Sequence, residues 1–174
     1  ERDILVFAIF ISFFPQLIAG PIERGAKLIP QLTTSKLVSW PEINKGINLF
    51  LLGLLGKIVF ADNLGIIADK IFSNPTEYSP QELLIGIYAF AFQIYFDFSA
   101  YSLMAIGSAR MFQIELSRNF DFPYLTSNIR EFWRCWHITL SSWLRDYIYL
   151  PLGGSKGTPE QTHRNTIFTM MLCG

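Results

Sequence analysis

LLIGIYAFAFQIYFDFSAYSLMAIGSA, residues 83–109, contains a single acid, Asp97, and no basic residue. A bilayer's hydrocarbon core is about 30 Å thick, and a helix rising about 1.5 Å per residue needs roughly 20 apolar residues to cross it. The run exceeds that length and reads as a transmembrane helix. Asp97 is costly in such a place, so it is expected to face the interior of a bundle beside a partner. Gln93, Asp97 and Tyr101 recur at i, i+4 and i+8 and share a face, which predicts a polar seam. Either structural glue or a functional carboxylate fits Asp97.

Working outward, residues 62–82 read as a polar connection punctuated by Asn74-Pro75 and Ser79-Pro80. Before it, residues 45–61 form a shorter apolar span that carries Lys57, expected to snorkel towards the interface. Gly46, Gly53 and Gly56 lie on one narrow face of that span, which suits close helix–helix approach. Residues 4–22 are uncharged and long enough to cross once, with Pro15 and Gly20 bending the second half. The run 165–174 is expected to begin a further crossing. The predicted fold is an all-α, multi-pass helical membrane bundle, one domain over residues 1–174 with no internal repeat or linker.

Composition agrees. Hydrophobic residues make up 51% of the 174 and charged residues only 16%, against roughly 25% charged in ordinary globular proteins. Fourteen basic residues balance 14 acidic ones, so no electrostatic case exists for nucleic acid. The expected surroundings are a lipid bilayer. Neither end resembles a natural boundary with a polar tail, so these residues are expected to belong to a longer multi-pass protein. The N-terminal run has no signal-peptide cleavage pattern. Cys135 and Cys173 sit in apolar surroundings and read as plain thiols, neither a disulfide nor a metal pair.

Arg24, Lys27, Lys36 and Lys45 lie between the first two spans, Lys70 alone between the next two, and Arg110, Arg118, Arg130 and Arg134 beyond. The positive-inside rule then puts the N-terminus outside and residues 110–164 on the cytosolic side.

Residues 128–150 are less generic. Asn128 with Glu131 has capping-box spacing, and Pro151 with Gly153-Gly154 closes the segment. On one helix, Phe132, Trp136, Leu140, Trp143, Tyr147 and Leu150 fall within about 80° of arc; Arg130, Arg134, His137, Ser141 and Arg145 take the opposite side. Such a two-faced helix either lies in the cytosolic interface with solvated arginines or re-enters the bundle with its polar stripe along a water-filled cavity. Like charge on the stripe should lower the His137 pKa and keep the imidazole neutral near pH 7, able to act as a base. His163 reads as a solvated residue of the polar loop 155–164. Gly153-Gly154-Ser155-Lys156-Gly157 lacks the strand and spacing of a phosphate loop and reads as a turn.

Taken together, NFDFPYL (119–125), FWRCWHITLS (132–141) and LRDYIYLPLGG (144–154) resemble the membrane-bound O-acyltransferases. FPQLIAGPIER (14–24), KIVFADNL (57–64), YFDFS (95–99) and MAIG (104–107) extend the resemblance over nearly the whole chain, in the family's order. It implies an enzyme that takes an activated acyl group at the cytosolic side and serves a hydroxyl acceptor outside, in the bacterial cytoplasmic membrane. The ending DYIYLPLGG is closest to the branch that O-acetylates exopolysaccharides such as alginate. There the acyl group is acetyl, and the polysaccharide is reached through periplasmic acetylation proteins. The implied donor is acetyl-CoA or an acyl-carrier thioester; no bound cofactor or metal is expected.

By the same resemblance, His137 matches one of two histidines that the family pairs in a central cavity. The other belongs to a Leu-Trp-His-Gly element that follows a stretch like residues 169–174, so these residues by themselves are expected to be inactive. Arg134 and Arg145 would neutralise donor phosphates or dock an acidic carrier. Trp133, Trp136 and Trp143 would wall the cavity beside Ser141, and Asp146 would pair with an arginine. Leu103 stands where the family usually has Asp, and Cys135 where it usually has Arg. The alternatives are D-alanyl or other acyl transfer to teichoic acid or peptidoglycan, a non-catalytic membrane subunit, and a transporter. The transporter calls for inverted repeats, which the sequence lacks.

Overall fold

Pro15 decides how the N-terminal run folds. A proline cannot donate to the carbonyl four residues back, and its ring crowds that carbonyl. In the computed structural model, which describes residues 3–34 and 37–172, helix α1 covers only Ile4–Ser12, capped by the Asp3 carboxylate on the Leu5 amide at 2.9 Å. A short 3-10 turn, Phe14–Gln16, follows, and the Gln16 side-chain amide donates to the Phe10 carbonyl. At Gly20 a Cβ would stand 2.1 Å from the Pro15 carbonyl oxygen, so the chain folds back where only glycine fits. The expectation of one spanning helix over 4–22 is therefore corrected: α1 is less than half the length a bilayer requires. The expectations on Lys36 and Cys173, and on residues 173–174 of the final run, lie outside the described residues.

Every regular element among the described residues is helical. Contacts divide the chain into two units, Glu1–Ser117 and Arg118–Gly174, although the sequence shows no linker between them.

In the first unit, α2 (Gly25–Thr33) buries Leu28 against Ala109, Ile114 and Leu116, with Phe10 and Phe13 packed around them. Helix α3 (Trp40–Leu55) widens into a π turn at Gly56–Ala61 and continues as α4 (Asp62–Ser73). The result is one apolar path of 34 residues. The sequence reading ended this span at Ala61 and made Asp62 the start of a polar connection; the helix instead runs on because its polar residues are satisfied within it. The Asn63 amide donates to the Ile58 and Val59 carbonyls at 3.0 and 2.9 Å. Asp62 pairs with Lys57 at 2.8 Å. Helix α5 (Pro80–Met111) starts from a capping box of Ser79 and Glu82 and runs 32 residues.

Glycine sets how closely α3 and α5 pack. A Cβ at Gly53 would lie 2.6 Å from the Ala100 carbonyl oxygen, and one at Gly107 2.6 Å from that of Gly46. The glycine face expected on the second span is thus a seam of backbone-to-backbone contact. The outward faces carry exposed Leu51, Leu52, Leu55, Ile58, Ile85 and Ile87, a surface suited to lipid rather than water.

The helical hairpin returns Arg110 to the end from which α3 set out. Its guanidinium donates to Glu42 at 2.6 Å and to Glu115 at 3.0 Å. Beside it, the buried Glu23 carboxylate accepts from the Ser117 amide, while Lys27 reaches the Ser117 hydroxyl at 2.7 Å. Glu23, Lys27 and Glu42 therefore share one end of the unit with Arg110 and Ser117.

The second unit holds α6 (Ile129–Cys135), α7 (Ile138–Leu144), a π turn at Arg145–Tyr149 and α8 (Pro159–Met171). Helix α8 starts from a capping box of Thr158 and Gln161, so His163 is an exposed helical residue and not part of a loop. The turn before it is as read: Gly153 and Gly154 adopt positive φ, and the buried Asn165 amide donates to the Leu152 and Gly154 carbonyls at 3.1 Å.

Candidate functional site

Residues 128–150 are not one helix. The Asn128 side chain accepts from the Glu131 amide at 2.9 Å and starts α6 as expected. Hydrogen bonds from Asn128 and Ser127 hold the Glu131 carboxyl below its usual range. The helix then stops at Cys135. Trp136 is extended, and His137 adopts the left-handed conformation, φ 43° and ψ 54°, as the cap residue of α7. For a residue with a Cβ this costs roughly 1 kcal/mol, so something outside the helices must hold the break.

That support is the segment 119–121. The Asp121 amide donates to the Cys135 carbonyl at 3.0 Å, and the Ile138 amide to the Asn119 carbonyl at 2.9 Å. The Asn119 carboxamide oxygen accepts from the Thr139 hydroxyl at 3.0 Å and the Thr139 amide at 3.4 Å. Both side chains are buried, 1% and 3% exposed. The Phe120 ring meets Trp136 edge-on at 5.1 Å and lies nearly parallel to the His137 imidazole at 6.5 Å. Tyr124, Phe132 and Trp136 stack beside it at 5.5 to 6.1 Å. Sequence reasoning assigned no role to Asn119 or Phe120. Their signal was present in NFDFPYL, one of the stretches densest in resemblance, but periodicity along 128–150 alone has no access to it.

The break redistributes the expected polar stripe. His137 is half-buried, and burial pushes its imidazole below the ordinary value of 6.5. The direction is the expected one; the cause is desolvation and not the like charge of neighbouring arginines. The Ser141 hydroxyl lies 3.4 Å from the Trp133 and Trp136 carbonyls, tying α7 back to the end of α6. Arg145 and Asp146 form an exposed ion pair at 3.1 Å in the π turn, a contact worth little in stability. Trp143 stacks on Tyr147 at 5.3 Å. Trp133 packs edge-on against Phe132 and stays partly exposed, and Arg134 lies in the last turn of α6.

Asp97 belongs to the first unit, near the middle of α5. Its carboxylate meets Lys57 at 2.7 Å, and Lys57 also reaches Asp62. Lys57 therefore does not snorkel: it links the two long helices through the π turn. Gln93, one turn away, has a buried carboxamide oxygen without a hydrogen-bond partner among the described residues. Tyr101 donates to the Leu17 carbonyl at 3.3 Å. Among the described residues no cluster of His, Cys, Asp and Glu has the makings of a metal site.

The family model for the membrane-bound O-acyltransferases matches residues 2–172, across both units. The chain belongs to the membrane-bound O-acyltransferase family. As a member with two helices long and apolar enough to span, it is a membrane protein. It is 44% identical, over 99% of its length, to a probable alginate O-acetylase of Azotobacter vinelandii, of which it covers 34%. It is 42% identical over 98% of its length to a peptidoglycan O-acetyltransferase of Helicobacter pylori, covering 33% of that protein. A more distant relative is a teichoic acid D-alanyltransferase of Bacillus subtilis, 31% identical over 81% of the chain and matched over 36% of its own length. The chain spans about a third of the length of these curated relatives.

Proposed function

We propose that the full-length protein is a membrane O-acetyltransferase that modifies hydroxyl groups of an exopolysaccharide of the alginate type. The observation that carries this is His137: a half-buried imidazole with a lowered pKa, presented at a left-handed break in the Trp-His motif. Acyl transfer from a thioester to a hydroxyl forms a carbon–oxygen bond and breaks a carbon–sulfur bond. The hydroxyl proton must leave as the bond forms and end on the departing thiol. A neutral imidazole suits both halves of that transfer. Arg134 and Arg145 supply positive charge for the phosphates of acetyl-CoA or for an acidic carrier, and Trp133, Trp136 and Trp143 supply apolar wall. The donor is taken from the cytosolic side of the bacterial inner membrane, the side on which the basic residues of 110–164 place that stretch. The polysaccharide is reached through periplasmic acetylation proteins.

Peptidoglycan as acceptor is the second reading, supported by the 42% identity to an enzyme named for it. Expressing the full-length gene with its neighbours, with and without His137→Ala, and identifying the acylated glycan by mass spectrometry separates the two. Acetyl on alginate supports the first reading, acetyl on peptidoglycan the second, and normal acetylation by His137→Ala removes the role given to the imidazole.

A further inference from the structure

We infer that Asn119 is the positioning residue for His137: it clamps the first turn of α7 and keeps residues 129–144 from closing into one continuous helix. This rests on the reading of His137 as the group that handles the acceptor proton.

The alternative conformation is written in the sequence. Residues 128–150 carry an unbroken helical period of aromatic and polar faces, and no glycine or proline marks position 137. Left to local preference, the segment would continue through His137, turning the imidazole onto the exposed arginine side. A left-handed residue with a Cβ persists only where its surroundings over-determine it. The segment 119–121 does so with four hydrogen bonds to residues on both sides of the break.

Asn119 makes three of them. Helix α7 opens with orphan backbone amides, and its cap residue, His137, makes no side-chain capping bond. Asn119 satisfies the amides of Ile138 and Thr139 from a distant part of the chain. The imidazole is set beside the Phe120 ring. The bond to Ile138 uses the main-chain carbonyl and survives any substitution, whereas both bonds from Thr139 go to the side-chain oxygen, so an Asp keeps the acceptor and a Leu loses it.

The test uses the full-length protein in native membranes, as Asn119→Leu and Asn119→Asp. Two readouts are compared: kcat and KM for the acyl donor, and carbethoxylation of His137 by diethyl pyrocarbonate, located by mass spectrometry with exposed His163 as internal reference. Asn119→Leu should lower kcat at least about tenfold with KM within about twofold, and speed His137 modification at least about threefold. Its modification should also shift in pH dependence towards that of an ordinary histidine. Asn119→Asp should keep both readouts within about threefold of the parent. Unchanged His137 reactivity in Asn119→Leu overturns the inference whatever its activity. Changed reactivity with normal turnover leaves the clamp standing and removes the catalytic reading of His137 instead. If Asn119→Leu fails to accumulate, Thr139→Val, which drops one donor to the clamp, gives the same readout; unchanged reactivity there overturns it equally.

Discussion

Two helical paths in this molecule meet an irregularity and treat it oppositely. Residues 40–73 pass through the π turn at Gly56–Ala61 without stopping, whereas residues 129–144 stop at Cys135 and restart at Ile138. In the first path the irregularity is settled locally: Asn63 takes two carbonyls in the π turn and Asp62 pairs with Lys57, with Asp97 adding a link across the hairpin. In the second it is settled from a segment about 18 residues upstream, which supplies acceptors for the broken turn. A helix thus tolerates a local fault when its own side chains answer it, and breaks where a competing partner answers it better.

The contrast is open to test. The largest effect is expected at the break itself: His137→Ala in the full-length protein should lower acyl transfer by about 100-fold or more while the protein accumulates normally. A transfer assay on isolated membranes reads it, and accumulation without loss of rate contradicts the chemical role of the break.

Next comes the hairpin seam. Gly53→Leu would force side-chain bulk into the Ala100 backbone and should cost about 3 kcal/mol, seen as lost accumulation or a lower thermal midpoint in detergent. Gly56→Ala, whose Cβ meets only the Ala100 methyl at 3.3 Å, should be tolerated. Equal behaviour of the two variants would mean that close backbone approach does not set the hairpin.

A smaller effect is expected from the charges that let residues 40–73 continue. Lys57→Met leaves Asp62 and Asp97 without their shared cation and should cost about 1 kcal/mol, the groups being 40 to 54% exposed. Replacing Asp97 together with Lys57 should recover part of it. Thermal unfolding of the three proteins in detergent decides; no shift in any of them removes the triad as the link between the helices.

The smallest lies at the start of α6. The folded-state pKa of Glu131 is below its ordinary 4.5, so its contribution is complete above that value and is lost as pH falls through the lower folded value. Amide exchange in α6 should therefore distinguish the parent from Glu131→Gln at about pH 6, and progressively less as pH falls through the lowered folded value. A difference that persists in acid would assign the effect to packing.

Much was legible along the chain. Long apolar runs announced α5 and the first part of the other long path, because a bilayer sets a length that composition must meet. The glycines at 46 and 53 announced the seam. The Asn128 cap and the turn at Gly153-Gly154 were equally plain, being local. Readings failed where the deciding contact was remote, as with Lys57 and its partner Asp97, or was judged by polarity alone. Asp62 looked like a boundary because its pairing with Lys57 was not visible, the first part of α8, up to Arg164, looked like a loop because polar composition hid its capping box, and His137 looked helical because its period is helical.

By itself, then, the sequence determined that this is a helical membrane chain with the motifs of an O-acyltransferase, since burial in lipid and backbone satisfaction leave few other forms. The tertiary structure alone decided that His137 sits at a break, because the bonds that hold it there come from Asn119 and Asp121 and no period along 128–150 encodes them.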